Sequence, residues 1–449
     1  MSKFRKIVLM IIGLIILVIV LFFQMPNILG LFIKDIPPIN DSDLKITKVD
    51  VPKEQNAYYI LEPLFNRDNA YQSPPSDVNP YLTGEKEWDE EVVKGILSQY
   101  SKEIELIYNA ADMPKFQDPY ANDGVSDGND ILNPALFMSF IRLIALDSVY
   151  SMRNGKQEES FDKALKLLSL GQKIENSQTT FILYYIGVGI KDTGLKTIQS
   201  LLDIVKAAPG TSNMLLHYQN LLSQYIEDSK LVETPFKTEY TGWANQIDAF
   251  ALGDFSELHR EERELINKLS DKFQFQPNRT KLSAANNFRL FISDFRKSCN
   301  LINEIKDRRA KFELEGYEIF KKSTIIKLYF VKNTVGEIIN KYVVEDSYTF
   351  SWNHIFEARC NNEVLFSSTR LLMLLKAYAV EEGKLPDSLE DVISKYTVSI
   401  PIDPYSTSSM KYNKGKKIIY SIGKDLKDSG GSEGDYWNLM DDPTFNIGF

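Results

Sequence analysis

Residues 7–23 read IVLMIIGLIILVIVLFF, seventeen apolar residues without a charge. At 1.5 Å per residue a helix of that length reaches about 25 Å, a little short of the roughly 30 Å hydrocarbon core of a bilayer. After Gln24-Met25-Pro26-Asn27 the apolar character resumes at Ile28–Ile33, which can complete the span or lie in the interface. Lys3, Arg5 and Lys6 precede the run, so the positive-inside rule puts Met1 in the cytoplasm and the chain beyond the run outside it. A cleaved signal peptide has an apolar core of about 7–15 residues and then a small-x-small cleavage site. Here Phe23, Met25 and Ile28 stand where small residues belong. The expectation is therefore an uncleaved anchor over 7–33, in contact with the lipid bilayer. A buried core helix fits poorly with the terminal position and basic flank. No other segment reaches eighteen apolar residues, so a single-pass protein is expected.

The chain of 449 residues as a whole has globular composition, 25% charged and 43% hydrophobic. Two or three domains are expected beyond the anchor, at roughly 100–200 residues each. A net charge of −9 argues against a nucleic-acid partner, which needs a basic face, and equally against broad adhesion to anionic lipid. His217, His259 and His354 are far apart and have no metal-ligand spacing. Cys299 and Cys360 form no CxxC pair; two readings stand, a disulfide in an oxidising compartment and two buried thiols.

Behind a basic tail (1–6) and the anchor (7–33), residues 34–54 are polar, carry Pro37-Pro38 and read as a short stiff stalk. Residues 55–365 are expected to form a helical domain. Tyr71–Thr83 reads as a loop; Asp89–Ala111 as one helix, with Val92, Ile96, Ile104 and Ile107 near one face. Asn133-Pro134 starts a helix, Asn as cap and Pro at the first position, which stops at Asn154-Gly155. A second helix over Glu158–Ile174 completes an antiparallel hairpin. Further helices are expected over Phe181–Ala207, Asn213–Asp228, Glu257–Phe273, Ser283–Leu314 and Ile325–Val343, with the mixed charges of Asn303–Lys322 as a solvated face. The hairpin has the look of a tetratricopeptide unit, but no 34-residue period repeats it. The Asp/Asn/Gly-rich stretch Asp118–Asp130 fits an EF-hand at Asp123, Asp127 and Gly128. It fails where ligands matter, at Val125 and Pro134, and reads as a solvated loop before a helix, with a non-EF calcium loop as the alternative.

The character changes after about Leu365. Phe366–Glu382 is an amphipathic helix ended by Gly383; Lys384–Leu389 turns the chain into a short second helix; Met410–Asn413 and Lys417–Ile422 alternate as a hairpin around Gly415. Gly423–Phe449 reads as an acidic loop. Three stretches stand in this order: Ala377–Pro386 (AYAVEEGKLP), Pro401–Tyr405 (PIDPY), and Tyr420–Asp425 (YSIGKD) followed by Asp428-Ser429-Gly430-Gly431. In that order and spacing the module 366–449 resembles the C-terminal part of the major pseudopilins of bacterial type II secretion systems, and a wider set of bacterial membrane proteins that end in the same module. The resemblance covers under a fifth of the chain. It implies a helix packed on a small antiparallel sheet, a calcium-ordered loop, and a bacterial inner-membrane protein with its bulk in the periplasm. Two departures matter. About 300 residues separate the anchor from the module, and the leader SKFRK has no glycine–aromatic–glutamate processing site. Assembly into a pseudopilus is not expected.

By position in the motif Asp425 is the first calcium candidate and Asp428 the next, with Asp435, Asp441 or Asp442 closing the loop. The physical case is independent. Asp425, Asp428, Glu433, Asp435, Asp441 and Asp442 face only Lys424 and Lys427, and Gly430, Gly431 and Gly434 let the loop wrap. A solvated acidic tail is the alternative. Asp403, before Pro404, reads as a turn former.

Nucleophile elbows, P-loops, GxGxxG fingerprints, HExxH and Cys–His pairs are absent from the sequence. The fold class is thus α+β, mostly α: one transmembrane helix, a large helical domain and a small α/antiparallel-β module. The functional expectation is a non-enzymatic, anchored envelope protein whose helical domain meets a protein partner. The alternatives are a component of a secretion or pilus-like system, and an enzyme with an unrecognised carboxylate site.

Overall fold

The computed structural model describes residues 3–47, 49–65, 74, 78–119, 133–225, 233–254, 273–306, 331–340, 347–431 and 442–448. The expected helix at Glu257–Phe273 (apart from its last residue), nearly all of the Asn303–Lys322 run, the EF-hand-like positions Asp123, Asp127 and Gly128, and Asp435 and Asp441 lie outside the described residues. In chain order the helices are α1 (Lys3–Phe32), α2 (Tyr58–Phe65), α3 (Val78–Thr83), α4 (Glu90–Gln99), α5 (Ser101–Asp112), α6 (Pro134–Arg153), α7 (Gln157–Glu175) and α8 (Phe181–Ile204). They continue as α9 (Thr211–Leu222), α10 (Glu233–Ala251), α11 (Pro277–Phe295), α12 (Thr334–Asn340), α13 (Ser347–Glu382) and α14 (Leu389–Tyr396). The strands are β1 (Lys411–Asn413), β2 (Ile418–Tyr420) and β3 (Thr444–Asn446).

The apolar run forms one uninterrupted helix of 30 residues that passes through Pro26. Its lipid-length portion is bare: the apolar window Leu9–Phe32 is only 6% buried. The end of the helix is different. Pro26 is buried and Leu29, Gly30 and Ile33 are half-buried, at i, i+3, i+4 and i+7, while Leu31 and Phe32 are 74% and 80% exposed. α6 is also long and apolar enough to cross a bilayer, but it is 61% buried and is a core helix.

Contacts divide the chain into two units. The second, larger one comprises residues 46–238, 294–304 and 354–449. Its centre is the α6–α7–α8 layer. Asn133 Oδ1 accepts from Leu136 N at 3.1 Å and Pro134 takes the first helical position, as expected; Gly155, at φ +79°, ends the helix turn. Three glycines set how closely α7 and α8 approach. A Cβ on Gly171 would lie 2.6 Å from the Gly187 carbonyl, one on Gly187 2.9 Å from the Gly171 carbonyl, and one on Gly194 2.9 Å from Leu168. Beside this contact Glu175 and Lys191 form an ion pair at 2.5 Å, each side chain no more than 3% exposed. α2, α4 and α5 close the core, where Leu61, Val93, Ile96 and Ile104 join Phe140, Leu170 and Ile190.

Several boundaries differ from expectation. Asp89–Ala111 is two helices, not one. The chain breaks at Tyr100 (ψ 23°), whose ring turns inward to within 6.4 Å of Phe140. That break puts Val93 in the core and leaves Val92 43% exposed. The expected loop before residue 83 ends in α3, where Pro80 sits in the first turn and its missing N–H costs nothing. α10 was not expected, because Pro235 and Gly242 interrupt its pattern. Yet Phe236, Tyr240, Trp243, Ile247 and Phe250, spaced by four and three, are all buried. The expected Ser283–Leu314 helix stops at Phe295, and the turn after it sets Cys299 against Cys360. They are joined as a disulfide, with Cα atoms 5.7 Å apart. α13 runs on through the boundary expected at 365/366.

At the C-terminal end Ser388 and Asp391 form a capping box on α14. The sheet has the order β1-β2-β3, all antiparallel, with Lys411 opposite Tyr420 and Ile419 opposite Phe445. β3 lies in a stretch expected to be loop; it pairs because β2, buried at all three residues, needs a partner on each edge.

The first unit comprises residues 1–45, 239–293 and 305–353. In it α10 and α11 run antiparallel: Tyr240 packs edge-on against Phe288 at 5.6 Å, and two turns further along α10 Asp248 meets Lys281 at 2.5 Å. α12 closes the pair through Asn340, which accepts from Trp243 Nε1 at 3.0 Å and donates to the Thr280 carbonyl at 2.7 Å.

Candidate functional site

Asp425, Asp428 and Asp442 are all used within the loop after β2. Asp425 Oδ1 accepts from Lys427 N at 3.0 Å. Asp428 Oδ1 accepts from Gly430 N at 3.1 Å and from the Tyr420 hydroxyl at 3.2 Å, and its Oδ2 lies 3.4 Å from Lys411 Nζ. Asp442 is buried, and its Oδ2 accepts from Ser429 N at 2.9 Å and Gly431 N at 2.8 Å, tying the glycine turn to the start of β3. Burial, with the charges of Asp428 and Asp425 added, pushes the Asp442 carboxyl above its ordinary value despite those two amides. Burial raises Asp428 as well, but the Gly430 amide, Tyr420 and Lys411 outweigh it and hold that carboxyl below its usual range. Among the described residues no three His, Cys, Asp or Glu converge as a metal-holding group. Calcium takes six to eight oxygens, so these three acids alone do not complete a site. Asp435 and Asp441 lie outside the described residues.

Asp403 is fully buried and organises the PIDPY turn. Its Oδ1 accepts from Tyr405 N at 3.1 Å and from the Ser421 hydroxyl at 2.6 Å, and its Oδ2 from Ile422 N at 3.1 Å. The turn role expected of it extends to the second motif: one carboxylate fastens PIDPY to YSIGKD.

A cleft of about 310 Å³ runs between one face of α8 (Lys196, Gln199, Ser200, Asp203), α13 (Leu365, Leu372, Lys376) and β3. Gln199 donates to Thr369 Oγ1 at 2.8 Å and Lys376 to the Gly448 carbonyl at 2.5 Å. Burial raises Asp203 and lowers Lys376. Ser200 gives its proton to the Lys196 carbonyl, at 3.1 Å, so the cleft offers hydrogen bonds and not an activated nucleophile. A Ser–Lys contact stands elsewhere, with Lys163 Nζ 2.7 Å from Ser151 Oγ. Burial opposes the charge on Lys163, but Glu159 and Asp147 overcome it and keep the amine protonated. A protonated lysine cannot take a proton from serine.

The most elaborate constellation was not expected at all. It lies in the first unit, where α1 ends and the chain leaves the apolar run. The Ile33 carbonyl accepts from Gln276 Nε2 at 3.3 Å. Asp35 accepts from the backbone amides of Asn278 at 2.7 Å and Arg279 at 3.2 Å, so it caps the N-terminus of α11 from 243 residues away. Asn278 Nδ2 donates to the Ile36 carbonyl at 2.8 Å. Further on, Arg289 makes a two-pronged contact with Asp43, both bonds 2.8 Å, and reaches the Asn40 carbonyl at 3.0 Å. Tyr240 donates to Asp41 Oδ2 at 2.9 Å. Residues 33–45 are thus fastened along α10 and α11, and the first part of the expected stiff stalk is a docked strap. Local sequence carries no signal of this, because every partner is some 200 residues or more distant.

Comparison with protein-family models, curated proteins and solved structures gave no match to this chain.

Proposed function

We propose that this chain is a single-pass, membrane-anchored protein, with its N-terminus in the cytoplasm and its bulk in the periplasm of a bacterial envelope. It acts by holding its helical body at a fixed place for a protein partner, not by catalysis. The observation that carries the reading is the engagement of the anchor's end. Pro26 is buried, the Ile33 carbonyl is bonded by Gln276, and Asp35 caps α11. A leader destined for removal has no need to be built into the fold. The disulfide supports the oxidising side of the membrane. Two measurements test this. The mass of the mature protein is expected to include residues 1–33. Thiol alkylation in intact spheroplasts is expected only after reduction, by a reagent that does not cross the membrane. A mature chain starting beyond Phe23, or free thiols reached only after permeabilisation, would overturn the proposal.

A second reading, a component of a secretion or pilus-like system, is favoured by one observation: the module carrying the resemblance has a helix followed by a small antiparallel sheet. Crosslinking in native membranes that recovers no secretion components would end it. Calcium belongs with that reading. It is expected to raise the melting temperature of the full chain after EDTA treatment, and an unchanged melting curve would remove it.

A further inference from the structure

We propose that the end of the first unit beside the anchor is itself seated on the bilayer, with Leu252 and Val331 as the side chains that enter the lipid surface. This rests on reading α1 as a membrane anchor. The hydrocarbon core takes about 20 helical residues, so a span that starts at Ile7 ends near Pro26. Pro26 is also where burial of the anchor begins, so folded protein starts where hydrocarbon stops. The next turns carry the chain through the headgroup region to Ile33, whose carbonyl is held by Gln276. Seven residues from Pro26 rise about 10 Å, so the turn before α11 lies at the outer edge of the headgroup layer.

The antiparallel pairing of α10 and α11 fixes what else lies at that level. Asp248 meets Lys281. Four residues beyond Asp248, in the turn that ends α10, is Leu252, whose N–H donates to the Asp248 carbonyl at 3.2 Å; four residues before Lys281, at the start of α11, is Pro277, so each lies about 6 Å along its helix axis. Leu252 is 88% exposed, more than any other large apolar side chain described, α1 included. The backbone N–H of Asn333 donates to the Phe273 carbonyl at 2.9 Å, which brings Val331, 48% exposed, and the exposed Lys332 to the same end. Lys34, also exposed, comes directly after Ile33. Two bare aliphatic side chains flanked by two lysines, at the level where an apolar helix emerges, match a lipid surface: the aliphatic groups enter among the headgroups and the ammonium groups meet phosphate. Continuity with the anchor selects lipid over a protein partner.

The test uses the full chain in phosphatidylcholine vesicles, with an environment-sensitive NBD fluorophore on Leu252→Cys, Val331→Cys or, as control, Asn286→Cys. Asn286 is exposed on α11, nine residues beyond Pro277 and so about 13 Å further from the surface. Emission from 252 and 331 is expected to shift to the blue and to be quenched by lipid spin-labelled in its headgroup; emission from 286 is not. If 252 and 331 stay as water-exposed as 286, or shift to the blue without quenching by the labelled lipid, the inference falls. A failure of the anchor reading looks different: the full chain would not float with the vesicles.

Discussion

Asp403 receives three donors while fully buried. Truncating it orphans two backbone amides and a hydroxyl, at about 1–3 kcal/mol for each buried donor left unpaired. Asp403→Ala is therefore expected to lower the melting temperature sharply. Asp425→Ala, which removes one bond at the edge of the loop, is expected to cost little. Equal melting of the two variants would show that the Asp403 hub is not what fastens the motifs together. A second residue gives a pH signature. Lys163 and Lys156 hold the Glu159 carboxyl down at about 2, against an ordinary 4.5. A carboxylate lowered on folding adds stability that is fully present above 4.5 and is lost as pH falls through its folded value. Glu159 is 43% exposed, so solvent and salt reduce the effect well below the full shift. Urea unfolding at pH 7 and pH 3 is expected to show a smaller acid loss in Glu159→Gln than in the parent. An identical loss would place the ion-pair effect elsewhere.

At the scale of elements, glycines distinguish packing from propensity. Gly95 lies within α4 with open space around it, so Gly95→Ala is expected to stabilise by roughly 0.5–1 kcal/mol through helix propensity alone. Gly171→Ala gains the same propensity, but its Cβ would meet the Gly187 carbonyl at 2.6 Å, and overpacking costs about 1–3 kcal/mol. Thermal melting should move in opposite directions for the two variants; a shared rise would mean that α7 and α8 can part at no cost. The sequence announced elements whose causes are local. Asn133-Pro134 and Asn154-Gly155 delimit α6 because caps and left-handed turns act within a few residues. It concealed α10, where Pro235 and Gly242 mask a regular buried face, and β3, which exists only because β2 needs a second neighbour. The break at Tyr100 was equally hidden, since it is fixed by contact with Phe140 on another helix. The same division holds for sites. Asp403 declared its turn, while Asp35, a cap for a helix beginning more than 240 residues later, could not be read from its neighbours.

At the scale of the whole molecule, on the proposed reading of α1 as a membrane anchor, the strap 33–45 decides whether that anchor is a swivel or a rigid mount. Asp35 bonds two amides at the start of α11, and Arg289 grips Asp43 and Asn40. The two contacts are not equal. Arg289 and Asp43 are 34% and 56% exposed, so their pair is worth about 0.2–1 kcal/mol. Hydrogen bonds from amides to a carboxylate contribute about 1.5–3 kcal/mol. Protease reaches the strap only when it opens, and cleavage tracks the population of the open form when reclosing is fast. Each 1.4 kcal/mol lost multiplies that population about tenfold. Membranes carrying Asp35→Ala with Arg289→Ala are thus expected to release the soluble body under mild proteolysis at least about tenfold faster than the parent, with Arg289→Ala alone between them and nearer the parent. Release at the same rate from all three would mean that the strap is open already and that the body swings on its anchor. In that case a fixed height above the bilayer, which seating Leu252 and Val331 on lipid requires, would be lost as well.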